Sequence, residues 1–388
     1  MAAGRPRHVF ISCGEASGDR YGAALCAALR ARDPELRITA LAGPRTAAAG
    51  AELVRDSSDL AVMGFAEVLG QARRLLRARR EAASHLRGGN VDVFVPIDFP
   101  GFNSHLAGRA RRAGVPVFWL VAPQVWAWGG WRTGGLRRRI DRLGTVLPFE
   151  ADWFAARGFD VFAMGHPLME DYGGAWDFEG SIADRERAFD ARAGALTLAL
   201  LPGSRRQELD QLLPVLRIAA RAAASMLPGR RLQPVVSCAP GLDAERIAEV
   251  FAGGATVSRA PLPELLRRAD LALVCSGTAS LEAALAGVPH EIVYRTGRLN
   301  YWLARRLVHT GHIGLSNLIL DEPLVREHIQ ELAAPLPVAT GLVRWVARPS
   351  ERKDFYGAAR RLRAACGGPG VWTRTAAAVL DLAAGGGA

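Results

Sequence analysis

HVFISC at His8–Cys13, GEASGD at Gly14–Asp19 and the Ala/Leu/Arg-rich run Tyr21–Arg32 read in order as an apolar strand, a glycine-rich turn and a helix. A strand without polar alternation is one buried on both faces, which is the signature of a parallel sheet covered by helices. The unit recurs. In the first half the strand candidates continue with Ile38–Leu41, Val91–Ile97, Val115–Val121, Leu143–Leu147 and Val161–Met164, with a further helix at Ala72–Leu86. Around Asp171–Ala188 the pattern fades into Gly, Asp and Glu, which reads as a linker. It then restarts with Leu196–Leu201, Gln233–Ser237, Leu271–Cys275 and Glu291–Tyr294 as strands, and helices near Glu208–Met226 and Ser280–Ala286. The expected fold class is α/β: two Rossmann-like domains, over residues 1–172 and 190–345, facing a cleft at the carboxyl ends of their strands. A helical tail over residues 350–388 is left to pack on either half, crossing back to the first in one arrangement.

Composition narrows the function without choosing it. The 388 residues carry 49 basic and 38 acidic side chains, a formal charge of +11, and every base except Lys353 is Arg. With 49% hydrophobic and 22% charged residues, wholesale disorder is excluded. The charge suits an anionic partner: nucleic acid, a phosphate-bearing ligand or a membrane surface. Five scattered cysteines without a CxxC pair argue against a disulfide framework or zinc cage and for a reducing compartment. The short basic start, Met1–Arg7, is not followed by a signal-peptide apolar run. The uncharged stretch Ala113–Trp131 is broken by Pro116, Pro123 and Gly129-Gly130, so it reads as strand plus loop rather than a spanning helix.

Three strand-to-helix turns have the physical form of phosphate sites, where glycine lets the backbone approach a ligand and the helix offers unpaired N–H groups. The first holds Gly14, Glu15 and Ser17; it fits neither GxGxxG nor a Walker loop, and reads either as a ligand contact or as a tight turn capped by Ser17 or Asp19. The second, Leu201–Arg206, places Arg205 at a helix N-terminus, where a cation opposes the dipole unless an anion is bound. The third, Cys275–Glu282, offers Ser276, Gly277 and Thr278 to phosphate oxygens and Glu282 to ribose hydroxyls, with an ordinary capped helix as its bland alternative. Asp98 follows the apolar strand Val91–Ile97 at its carboxyl end, among Phe99, Pro100 and Phe102. Desolvation there should raise its pKa and favour a general base, while a turn-capping Asp is the competing role. His105 and His166 are further polar candidates, and His309 with His312 complete no metal set.

From Ala61, Met63, Phe65, Val68, Leu69, Ala72 and Leu76 offer apolar surface, and Arg73, Arg74, Arg77, Arg79 and Arg80 crowd the end. That is the composition of a membrane-surface helix, and equally of a core-facing helix with a solvated Arg face. Trp126, Trp128 and Trp131 serve as core, acyl pocket or stacking surface.

Taken together, GEASGD, AVMGFAEVL at Ala61–Leu69, VWAW at Val125–Trp128, LPFE at Leu147–Glu150, GHP at Gly165–Pro167, LPGSR at Leu201–Arg205 and SGTASLE at Ser276–Glu282 resemble the lipid-A-disaccharide synthase family. Tyr294-Arg295 and Ser316-Asn317-Leu318 also fit. The resemblance implies an inverting glycosyltransferase of the GT-B fold, without metal or cofactor. Its substrates would be UDP-diacylglucosamine and diacylglucosamine 1-phosphate, joined as a β-1,6 disaccharide. It implies Asp98 as general base, Arg205 with the Ser276–Gly277 turn on the diphosphate, Glu282 on the ribose, and Arg295 and Asn317 completing the pocket. It further implies a cytoplasmic chain, peripheral on the inner membrane's cytoplasmic face, with Met63, Phe65, Val68, Leu69, Leu76, Arg73 and Arg77 toward an anionic surface. An oligomer is compatible with it. The sequence departs from the family at Gly101, where a second Asp is usual, at Ala42 and Thr46 of the Ala42–Thr46 segment, and at Gln124. A related enzyme on another UDP-sugar, of muropeptide-transferase or epimerase type, is the alternative. A nucleic-acid binder, suggested by +11 and Arg137–Arg139, lacks a recognition-helix or aromatic-basic sheet motif, so no nucleic-acid partner is expected.

Overall fold

The computed structural model describes residues 7–14, 16–58, 68–88, 90–191, 194–297, 301 and 311–385. Its first sheet has seven parallel strands: β1 (His8–Cys13), β2 (Arg37–Ala42), β3 (Glu52–Asp56), β4 (Val93–Ile97), β5 (Phe118–Leu120), β6 (Arg142–Thr145) and β7 (Val161–Ala163), in the order β3-β2-β1-β4-β5-β6-β7. The period-2 alternation of a strand explains why β1 has no polar face. Val9, Ile11 and Cys13 join one core cluster, with Leu25 and Leu29 of the helix Ala16–Arg32. Phe10 points to the other, with Phe94, Phe102, Trp119 and the Ala78–Ala82–Leu86 face of the helix Val68–Arg87.

The second sheet has six parallel strands: β8 (Gly194–Leu201), β9 (Arg230–Ser237), β10 (Thr256–Ser258), β11 (Leu271–Cys275), β12 (His290–Tyr294) and β13 (Glu327–Ile329), ordered β10-β9-β8-β11-β12-β13. By its contacts the chain forms two units, Met1–Pro167 with Pro369–Ala388, and Leu168–Gly368. The tail is not one helix but two, Pro349–Cys366 in the second unit and Val371–Gly385 in the first, parted by Gly367, Gly368, Pro369 and Gly370. Val371, Ala376, Val379 and Ala383 of the last helix enter the Val9–Ile11 core cluster, so the tail does cross back.

The expected linker at Asp171–Ala188 is corrected: a helix runs over Phe178–Asp190, capped by the Asp177 carboxylate on the Gly180 N–H. Phe178, Ile182, Arg185 and Phe189 bury at helical spacing, while the acidic residues between them hide the pattern. Arg185 is itself buried and donates to the carbonyls of Leu266 and Ala269, closing the end of the helix Leu262–Arg268. Arg352, almost wholly buried, binds Glu186 of the same helix at 2.6 Å.

Candidate active site

In the first sheet the chain leaves β1 toward β2 on one side and returns to β4 on the other, which makes the carboxyl ends of β1 and β4 the topological switch point. Gly14 ends β1 and Asp98 ends β4, where Cys13 pairs with Ile97. Asp98 (φ 46°) and Phe99 (φ 51°) both hold left-handed backbone, unusual for residues with side chains and concentrated at functional sites. Gly14 fits this bend closely, because a Cβ there would come within 2.2 Å of the Phe99 ring. Asn103, fully buried on the helix Pro100–Arg112, holds the bend: Nδ2 donates to the Asp98 carbonyl at 2.8 Å and Oδ1 accepts from Ser12 Oγ at 2.7 Å.

Two more groups complete this end of the sheet. Glu150, in the first turn of the helix Pro148–Ala155, is buried and accepts from Trp126 Nε1 at 2.9 Å and from the Val146 and Leu147 N–H groups. Burial pushes its carboxyl up to about 7, and the Asp98 charge adds to that. His166 is buried and driven down to about 4 by desolvation and by the Arg20 charge. Ser17 is exposed in the first turn of the helix Ala16–Arg32, and Glu15 lies outside the described residues. Asp19 points elsewhere. It is buried and accepts from the Gly43, Arg45 and Thr46 N–H groups and the Thr46 hydroxyl, so it ties the first glycine turn to the Gly43–Thr46 segment.

The second sheet has its own switch point between β8 and β11. The Pro202–Arg205 turn follows β8, and Ser276, Gly277 and Thr278 follow β11. Here glycines take the left-handed backbone, Gly203 at φ 106° and Gly277 at φ 129°, and a Cβ on Gly277 would meet nothing within 4 Å. Glu208, in the first turn of the helix Arg206–Ser225, accepts from the Ser204 and Arg205 N–H groups at 2.9 and 3.2 Å. The Arg205 guanidinium is left largely exposed, 3.7 Å from Glu208. Ser276 Oγ donates to the Ile313 carbonyl at 2.9 Å. Glu282, on the helix Thr278–Leu285, accepts from the Tyr172 hydroxyl at 2.9 Å.

Arg295 is half-buried just past β12, and Gln330 clamps the next residue, Thr296, through both its N–H and its carbonyl. Asn317 is buried. Its Nδ2 donates to the Val325 carbonyl and to Glu327 Oε1, and its Oδ1 accepts from the Val325 N–H, so its amide is engaged within the protein. Glu327 also receives the Ile313 and Gly314 N–H groups. Asn317, Glu327 and Ser276 thereby grip one loop from both ends.

The structure thus gathers Gly14, Ser17 and Asp98 at one switch point and Arg205, Ser276, Gly277 and Thr278 at the other, with Glu282 a turn further in. Asn103, Glu208 and Glu327 lie beside these turns without having been singled out by the motifs, and Glu150 closes the LPFE motif without having been given a role. Glu208 had a local signal, an acid in the first turn after a strand-end glycine. Of the surface helix, Arg73, Leu76 and Arg77 are exposed, Leu76 at 50%. Arg77 pairs with Glu81 at 2.9 Å. Val68 and Leu69 open that helix, while Met63 and Phe65 lie outside the described residues. Among the described residues no helix is long and apolar enough to cross a membrane, and no group of three or more His, Cys, Asp or Glu could hold a metal ion.

Two parallel sheets, each with its switch point carrying strand-end turns, give the chain the GT-B type of fold. Solved structures share the fold: the glycotransferase of kitacinnamycin superposes with a TM-score of 0.61 at 18% identity, covering 97% of this chain and 99% of that one. The UDP-GlcNAc 2-epimerase of Neisseria meningitidis, bound to UDP-GlcNAc, gives 0.58 at 9% identity, covering 96% and 100%. Residues 9–359 match the family model described as lipid-A-disaccharide synthetase. The lipid-A-disaccharide synthase of Trichlorobacter lovleyi is 37% identical over 98% of this chain and 99% of its own, and that of Myxococcus xanthus 36% over 97% and 98%. The chain belongs to the lipid-A-disaccharide synthase family and is, as its relatives are, a glycosyltransferase.

Proposed function

We propose that the protein transfers the diacylglucosamine unit of UDP-2,3-diacylglucosamine to the 6-hydroxyl of 2,3-diacylglucosamine 1-phosphate, with inversion. The products are the β-1,6 disaccharide 1-phosphate and UDP. The observation that carries this reading is Asp98, held by strained backbone and by Asn103 at the carboxyl end of β4, in a chain related to synthases along nearly its whole length. In the proposed step Asp98 takes the 6-hydroxyl proton as the oxygen attacks the donor's anomeric carbon. The bond from that carbon to the diphosphate breaks, and the negative charge left on UDP is met by Arg205 and the turn at Ser276–Thr278. Gly277, with open space above it, lets phosphate oxygens approach the backbone. Glu282 binds the ribose hydroxyls from the position that Tyr172 fixes. Arg295 borders the nucleotide, and Asn317 contributes by setting the loop that meets Ser276. Gly14, Glu15 and Ser17 are assigned by this reading to substrate binding.

The chain is proposed to work on the cytoplasmic face of the inner membrane, where exposed Leu76, flanked by Arg73 and Arg77, suits an anionic lipid surface. Incubation with both diacylated substrates in detergent, following UDP release and disaccharide formation, tests the reading. Absence of product across several acyl-chain lengths overturns it.

A further inference from the structure

We propose that Glu150 is a positioning residue for the transfer: through Trp126 it holds the uncharged segment after β5 in place. The inference rests on the reading of Asp98 as the general base. It starts from strand order, because β4, β5 and β6 are consecutive neighbours and their carboxyl ends form one row. Asp98 ends β4 and donates its N–H to the Leu120 carbonyl at the end of β5, 3.0 Å away. From Leu120 the chain passes Val121, whose backbone is left-handed at φ 61°, and reaches the short helix Val125–Trp128. Glu150, beyond the end of β6, reaches back to Trp126 Nε1. One carboxyl thus joins the second and third members of the row, and the Asp98 N–H joins the first and second.

The chemistry of Glu150 fits the part. It is 1% exposed and, among the described residues, receives three N–H donors. The ionised carboxylate accepts all three most strongly, since a proton on Oε1 leaves a neutral, weaker acceptor for Trp126 Nε1. Burial opposes that ionised form, and so does the charge of Asp98, which among the described residues is the charged side chain whose field acts on it. The balance leaves its carboxyl at about 7. Falling pH therefore weakens the site by protonating Glu150 and loosening Trp126. Gly101, exposed three residues after Asp98, supplies no carboxylate of its own.

The test measures kcat and the donor KM against pH for the wild type, Asp98→Asn, Glu150→Gln and Trp126→Phe. In the wild type the acid limb of kcat should fall near 7. Glu150→Gln should lower the plateau about tenfold, leave the donor KM within about twofold, and move the acid limb to lower pH. Trp126→Phe keeps the ring and removes the donor that favours the carboxylate, so its acid limb should move to higher pH with a plateau loss of about threefold. That variant decides the matter if Glu150→Gln does not fold. Wild-type plateaus and limbs in both variants, with Asp98→Asn inactive, overturn this inference and leave the base in place. Near-normal turnover of Asp98→Asn instead removes the base reading itself.

Discussion

Where β4 and β5 end, residues with side chains hold the left-handed backbone, at Asp98, Phe99 and Val121; at the turns after β8 and β11 glycine does so, at Gly203 and Gly277. The first arrangement costs on the order of 1 kcal/mol or more per residue and persists because Asn103 and close packing enforce it. What it provides is a fixed direction for the Cα–Cβ bond of Asp98. The second arrangement carries little strain and leaves space over the backbone at Gly277, with the Arg205 charge exposed after β8. A proton transfer needs its base fixed to a fraction of an ångström, whereas a diphosphate is held by long-range charge and several donors at once. On the proposed function, one switch point serves placement and the other capture.

The largest effect that could break this contrast is in Asp98→Asn. Loss of the base should lower kcat by about 10²–10⁴ while calorimetry finds UDP binding unchanged. A matching loss of UDP affinity would mean that placement and capture are not divided in this way. Next comes Arg205→Ala, which should weaken UDP by about 2 kcal/mol, roughly thirtyfold in Kd, and flatten its salt dependence. Asn103→Ala sharpens the comparison from the structural side. It leaves the Ser12 hydroxyl and the Asp98 carbonyl without their buried partner, so about 1–3 kcal/mol of stability should go, together with kcat, while UDP affinity stays.

The smallest effect shows only below neutral pH and should be alike in both regions. His166 in the first unit and His290 in the second are buried and held neutral, each at about 4 against 6.5 in the unfolded chain. Between those values the unfolded chain binds the extra proton, so the stability is whole above 6.5 and is lost as pH falls toward 4. At pH 5 each should account for about 2 kcal/mol of loss relative to pH 7. Thermal melts of His290→Leu should decline less steeply than the wild type over that range, and an identical slope counts against it.

The central strands were legible because burial on both faces writes an unbroken apolar run, as in Val9–Cys13 and Leu271–Cys275. The missed strands are β3, β10 and β13, at sheet edges. Charged or only three residues long, they are the way edges avoid pairing with other chains and offer no apolar pattern to read. The helix at Phe178–Asp190 was hidden by its acidic exposed face. In the site, Asp98, Arg205 and the Ser276–Thr278 turn stood out because strand-end chemistry is local in sequence. Asn103 did not, because part of what it does is set by a donor brought from afar: Ser12 lies 91 residues before it. Glu150 sat in a legible motif, yet only its burial against Trp126 reveals a carboxyl that titrates near neutrality.

The closing helix, Val371–Gly385, has a bearing on the order in which the molecule is born. The core of Val9, Ile11 and Leu25 is completed by Val371, Ala376 and Val379, which leave the ribosome after all of Leu168–Gly368. At roughly 10 residues per second those intervening 200 or so residues take about 20 s to make, during which the first unit stands with an uncovered apolar face. The second unit, continuous in the chain, meets no such delay. Maturation therefore runs back to front, with the half that carries Asp98 the last to close, and a chain cut short after Gly368 would carry a complete second unit beside a first that never seals.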